Sequence, residues 1–152
     1  MHEMRRKDRQ LTNEDAIKLL QKGEYGILST VDKDGIPYGI PVNYAFEKNI
    51  IYFHCAKNVG LKVANMDHQP RVCFTVVGST EVLPEQFSTK YESVVALGTA
   101  RRAENKRIGL TLLQEKYSPA FAESGKQHIE AYFDHVEVYE ILLEQITAKG
   151  IR

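Results

Sequence analysis

Residues 50–62 read IIYFHCAKNVGLK. Four apolar or aromatic positions close on His54, a short polar turn follows, and Gly60 and Lys62 open what reads as a helix. A strand that ends where a helix begins leaves the first N–H groups of that helix without backbone acceptors. Lys62 falls in the first helical turn, where the macrodipole ordinarily favours acids over bases. A cation there is reasonable if an anion binds there as well. The segment is therefore read as a phosphate-holding strand-to-helix junction.

Strand texture extends to both sides of it. Tyr25–Val31 and Pro37–Phe46 are two strands joined by Asp32-Lys33-Asp34-Gly35, a hairpin turn with glycine for positive φ. Glu47-Lys48-Asn49 turns the chain into the strand that ends at His54. Arg71–Val77, Tyr91–Arg102 and Val136–Ile146 complete six strands, with a loop expected over 79–90 around Pro84. Helices are expected at 12–22, with Thr12 and Asp15 as a capping box, at 60–67, at 104–117 with Ile108, Leu112 and Leu113 as its stripe, and at 127–133. Short-spaced antiparallel strands with added helices predict a mostly β, barrel-like fold that leaves few edges to protect.

Bulk composition narrows the function classes. The 152 residues suit a single domain, 1–152, with a solvated arm at 1–10 that carries Arg5, Arg6, Lys7 and Arg9. Lys plus Arg and Asp plus Glu both number 20, so the chain lacks the basic excess of a general nucleic-acid binder. No apolar run approaches the length of a membrane span, and no apolar segment follows the charged amino end as in a signal peptide. The cytoplasm is the expected compartment. Cys55 and Cys73 do not make a disulfide scaffold, and without a C-x-x-C pair they give no metal site with His54 and His68. Glycine fingerprints of nicotinamide enzymes, phosphate loops and hydrolase elbows are missing as well.

Taken in order, MRRKDRQLT, GILSTVDKDGIPYGIPVNY, IIYFHCAKNVGLK, HQPRVCFTV and YESVVALGTARR with a following helix that ends KYSP make up almost the whole chain. This series resembles the pyridoxamine-phosphate-oxidase-like split β-barrel flavoproteins, and within them the nitroimidazole-resistance branch. The resemblance implies an antiparallel six-stranded split barrel with flanking helices, and a homodimer with two FMN molecules at the subunit interface. It implies an FMN-dependent oxidoreductase that reduces small nitro-aromatics such as 5-nitroimidazoles. A flavin carrier or sensor, or a haem-binding relative, is the alternative.

The same resemblance assigns residues. Leu28, Ser29 and Thr30 are expected beside the isoalloxazine, and Asn43 and Tyr44 near the cofactor. Phe53, His54, Cys55 and Ala56 are expected along the ring and ribityl chain, and Ser93 and Val94 near the cofactor, from either subunit. Lys62 matches the phosphate-binding lysine of the family. Relatives often carry a second basic residue just before it. Leu61 stands there in this chain, so phosphate neutralisation falls to Lys62, backbone N–H groups, hydroxyls or an arginine from elsewhere. His54 can be read as a catalytic proton donor or as an edge histidine bonded to a carbonyl. His128 and His135 form too loose a pattern for a site, and Tyr132 and Phe133 read as core or dimer contacts.

Overall fold

The computed structural model of the protein describes residues 2–152. Met1, the first residue of the expected arm, lies outside them. Seven strands form one antiparallel sheet: β1 Gly26–Val31, β2 Pro37–Val42, β3 Ala45–Glu47, β4 Ile50–Ala56, β5 Arg71–Leu83, β6 Ser88–Arg102 and β7 Val136–Ile151, in the order β2-β1-β5-β6-β7-β4-β3. Four helices flank it: α1 Asn13–Lys22, α2 Leu61–His68, α3 Lys106–Tyr117 and α4 Ala122–Tyr132. The architecture is the split β-barrel with added helices.

Alternation along the strands builds two cores. Leu28, Phe53, Phe74, Val76, Val94, Ala96 and Ile141 point inward with α1 and α2 against them. On the opposite face of β4 and β7, Tyr52 and Val138 pack against Leu110 of α3, with Ile129 of α4 on the same patch. The period of two therefore sends Phe53 and Cys55 into the barrel and turns Tyr52 and His54 toward α3 and α4.

Several elements are sharper than the sequence implies. The Thr12–Asp15 capping box is present, with the Asp15 N–H donating to the Thr12 hydroxyl at 3.1 Å. The expected single strand 37–46 is broken between Val42 and Ala45, which is why seven strands occur rather than six. Tyr44 takes its backbone partners from side chains instead of a neighbouring strand: its N–H donates to the Tyr117 hydroxyl at 3.0 Å, and its carbonyl accepts from Lys116 Nζ at 2.8 Å. The expected loop over 79–90 is instead a long hairpin, paired from Thr80↔Tyr91 to Leu83↔Ser88 beyond a bulge. Polar residues on both faces of that arm hide its alternation. The stripe of α3 is Leu110 and Leu113, while Ile108 is exposed. The amino-terminal arm is tied down by a bridge from Gln10 to Lys149.

Candidate functional site

The entry to α2 is built as an open end. Gly60 is its N-cap with φ of 103°, a conformation that L side chains rarely adopt. No side chain caps the helix and no acid lies in its first turn. Its leading N–H groups are thus left for an external acceptor, and half-buried Lys62 stands among them. Arg102, at the end of β6, reaches the same corner. Its guanidinium donates to Asn58 Oδ1 in the loop before α2 at 3.3 Å, to Asp67 of α2 at 2.9 Å and to the Tyr139 hydroxyl at 3.0 Å. Lys62 and Arg102 both bear electrostatically on Cys55, whose thiol is nevertheless pushed up by burial. Arg102 thus lies beside the loop that leads into α2.

His54 faces the other way from Cys55 and opens into a cleft of about 530 Å³. The floor is the outer side of β4 and β7, where His54 pairs in register with Val138. One wall is the Leu110, Leu113, Gln114 and Tyr117 face of α3, and the other is the Ser124, His128 and Tyr132 face of α4. These spacings of three and four residues are single helical faces. The walls come close: a Cβ at Gly125 would lie 2.4 Å from Gln114 Cγ. His128 stacks at a tilt on Tyr132, ring centroids 4.7 Å apart. His54 is exposed to the cleft. The surrounding protein still displaces enough water to hold its imidazole below the usual histidine range, and His128 and Lys62 push in the same direction.

The remaining expected residues divide. Asn43 is exposed and lines the cleft mouth. Ser29 is half-buried on the outer face of β1, and Ala56 is exposed at the end of β4. Leu28, Tyr44, Phe53 and Val94 are fully buried, so their side chains pack in the core and not on a surface. The Tyr44 hydroxyl donates to the Leu20 carbonyl at 2.5 Å, and Phe53 stacks on Tyr139 at 5.6 Å. Thr30 is buried with its hydroxyl accepting from Asn65 Nδ2 at 3.0 Å, and Cys55 is buried in the barrel core. Ser93 lies on the outer face of β6, four residues from Leu97 and roughly 13 Å along the strand. Leu97 and Cys73 continue the row of Ser29, so Ser93 is displaced from Ser29 within one chain. His128 and Tyr132 are cleft residues that the sequence reading set aside. Their signal is the Ser124-His128-Tyr132 spacing, which becomes visible only once α4 is seen to start at Ala122.

The sequence profile of the pyridoxamine 5'-phosphate oxidase family matches residues 12–150. The chain belongs to that family. No curated protein sequence matches it. Among solved structures, a candidate 5-nitroimidazole antibiotic resistance protein from Bacteroides thetaiotaomicron superposes with a TM-score of 0.77 at 20% identity, over 92% of this chain and 85% of that one. An FAD-binding protein from Mesorhizobium loti gives a TM-score of 0.67 at 23% identity, over 95% and 98%. A haem storage protein from Vibrio cholerae gives 0.67 at 14% identity, over 91% and 95%. At these identities the likeness is one of fold. The family's fold is thus shared by proteins with different ligands, and the site has to be argued from its own residues. Among the described residues no cluster of His, Cys, Asp and Glu could hold a metal ion, and no helix is long and apolar enough to cross a membrane.

Proposed function

We propose that the protein is an FMN-dependent oxidoreductase that reduces small nitro-aromatic compounds such as 5-nitroimidazoles. The observation that carries this reading is the uncapped start of α2, with Gly60 at positive φ and Lys62 in an acid-free first turn, one strand-end away from His54. The donor set fits a phosphate monoester: backbone N–H groups, one ammonium and the Arg102 guanidinium close by. A built Cβ at Gly60 meets no atom within 4 Å, so the approach to these donors is open.

Bound FMN would supply hydride or single electrons, taken from a reduced nicotinamide or a comparable donor. The protein's part is placement. Lys62 and the helix end hold the phosphate, Arg102 fixes the loop that carries Asn58, and the cleft orients the acceptor. His54, with its proton affinity kept below the ordinary range, can release a proton toward the reduced substrate on the acid side of neutrality, where its imidazolium is populated.

A homodimer with FMN between the subunits accords with the outer sheet surface. Exposed Val31, Val77 and Val95 lie on neighbouring strands with Ser29 and Cys73 among them. A second copy would cover that surface and bring its own Ser93 toward the cofactor.

The absorption spectrum of freshly purified protein tests the cofactor. Two flavin bands, or their recovery on adding FMN, are expected. A Soret band would assign haem instead, and a colourless protein that cannot be reconstituted would sink the flavin reading. Rapid-mixing reduction by a nicotinamide donor, followed by a nitroimidazole, separates an enzyme from a flavin carrier. A reduced flavin that no acceptor reoxidises would favour the carrier.

A further inference from the structure

The cleft between α3 and α4 has an unusual polar lining. Although 26% of the chain is charged, the lining contains no aspartate, glutamate, lysine or arginine. Its ionisable groups are His54, His128, Tyr117 and Tyr132. Leu110, Leu113, Phe121, Ile129 and Val136 supply apolar surface around them. The volume, about 530 Å³, is that of a small-molecule pocket.

Two of the polar groups are already engaged. Gln114 Nε2 donates to the Ser118 carbonyl at 2.8 Å, and the Tyr117 hydroxyl donates to the Glu24 carbonyl. Neither imidazole has a protein hydrogen bond among the described residues, although both line the cleft. His128 sits close enough to bear on the charge of His54, and Lys62 adds to the positive field there.

A ligand bearing an ammonium or amidinium would lose its hydration here without meeting a counter-charge. A ligand whose polar end only accepts hydrogen bonds meets one N–H donor on each imidazole, in a field that Lys62 makes positive at His54. A flat ring behind that end meets apolar wall on both helices.

We propose that this cleft binds a planar aromatic ligand with an acceptor-only polar end, a carboxylate or a nitro group, and that His128 is a specificity-determining residue which holds that end together with His54. The place of this ligand in catalysis rests on the function proposed above, whereas its binding does not depend on flavin.

The test uses the flavin-free, full-length protein and the Cε1–H signals of its five histidines. Benzoate is titrated near the ordinary histidine pKa of about 6.5, with benzamidine as its cationic isostere. Benzoate is expected to move the His54 and His128 signals saturably and leave His2 and His68 in place, while benzamidine does not. His128→Phe keeps an aromatic ring against Tyr132 but removes the donor, and should weaken benzoate about tenfold with no change in melting temperature. No saturable shift, an equal response to benzamidine, or undiminished benzoate affinity in His128→Phe would each overturn the proposal. FMN binding is measured separately by flavin fluorescence quenching, so a chain that takes benzoate and refuses FMN loses the flavin reading and keeps this one.

Discussion

The Tyr117 hydroxyl accepts the backbone N–H of Tyr44 at 3.0 Å, which fixes the end of α3 to the point where the sheet breaks between β2 and β3. The same hydroxyl donates to Glu24, and Lys116 one residue earlier binds the Tyr44 carbonyl at 2.8 Å. One turn of helix therefore satisfies a stretch of backbone that a strand neighbour would otherwise pair. Tyr117→Phe keeps the ring and leaves the part-buried Tyr44 N–H without an acceptor. A loss of about 1–3 kcal/mol is expected, seen as a melting temperature lower by roughly 2–4 °C per kcal/mol. An unchanged melting temperature would mean that water replaces the hydroxyl at no cost.

That relationship also marks the limit of what the sequence discloses. The hairpin at Asp32–Gly35, the Thr12 cap and the alternation around Phe53 and His54 are local patterns, and each is readable because its partners lie within a few residues. The break at Tyr44 is not, because Val42-Asn43-Tyr44 looks like continuing strand until Tyr117 arrives from a distant helix. Arg102 is similar: as a sequence it is the end of a β-strand, and only the fold brings it to Asn58. The cleft was illegible for a third reason. Its α4 wall has no buried residues, and the sequence marks only the 127–133 end of it as helix, so the Ser124 turn that completes the wall goes unseen.

At the α2 entry, Lys62→Ala removes the only cation of the helix's first turn. FMN affinity should fall by about 1.5–3 kcal/mol, the range for a hydrogen bond to a charged group. Riboflavin, which lacks the phosphate, should bind both proteins alike. Equal losses for the two flavins would point to a role away from the phosphate, and no loss for either would remove Lys62 from the site.

Arg102→Met tests whether the guanidinium compensates for Leu61. Its ion pair with Asp67 is half-exposed and contributes little to stability on its own account, about 0–1 kcal/mol. The expected signature is therefore a melting temperature near that of the parent with weaker FMN binding, and again little change for riboflavin. The loss should be smaller than that of Lys62→Ala, since Arg102 already divides its donors among Asn58, Asp67 and Tyr139. A large drop in melting temperature with FMN affinity retained would make it a structural clamp.

At low pH the α1 end of the barrel loses a carboxylate contribution. The Arg152 guanidinium, 2.9 Å from the carboxylate, and then the Thr12 hydroxyl hold Asp15 at about 2, below its ordinary 3.8. A carboxylate with a lowered native pKa binds its proton more readily in the unfolded chain. Its contribution is present above about 3.8 and is lost as pH falls through about 2. In Asp15→Asn that increment is missing at every pH, so the fall in melting temperature across this window should be shallower than in the parent. A parallel fall in both proteins would show that other carboxylates govern the acid limb.

His54→Ala separates the two readings of that histidine. Burial, His128 and Lys62 each lower its pKa, so the native imidazole is neutral over a wider range than the unfolded one. If it delivers a proton, turnover under saturating donor and acceptor should decline as pH rises through a value below 6.5, and His54→Ala should flatten that limb. FMN affinity should change less than turnover, because the phosphate donors at α2 are untouched. His128→Phe offers an internal check: with one like charge removed, the His54 titration observed by NMR should move upward and the limb should move with it. A limb that stays in place while the His54 titration shifts would assign the proton to another group and leave His54 as a positioning residue.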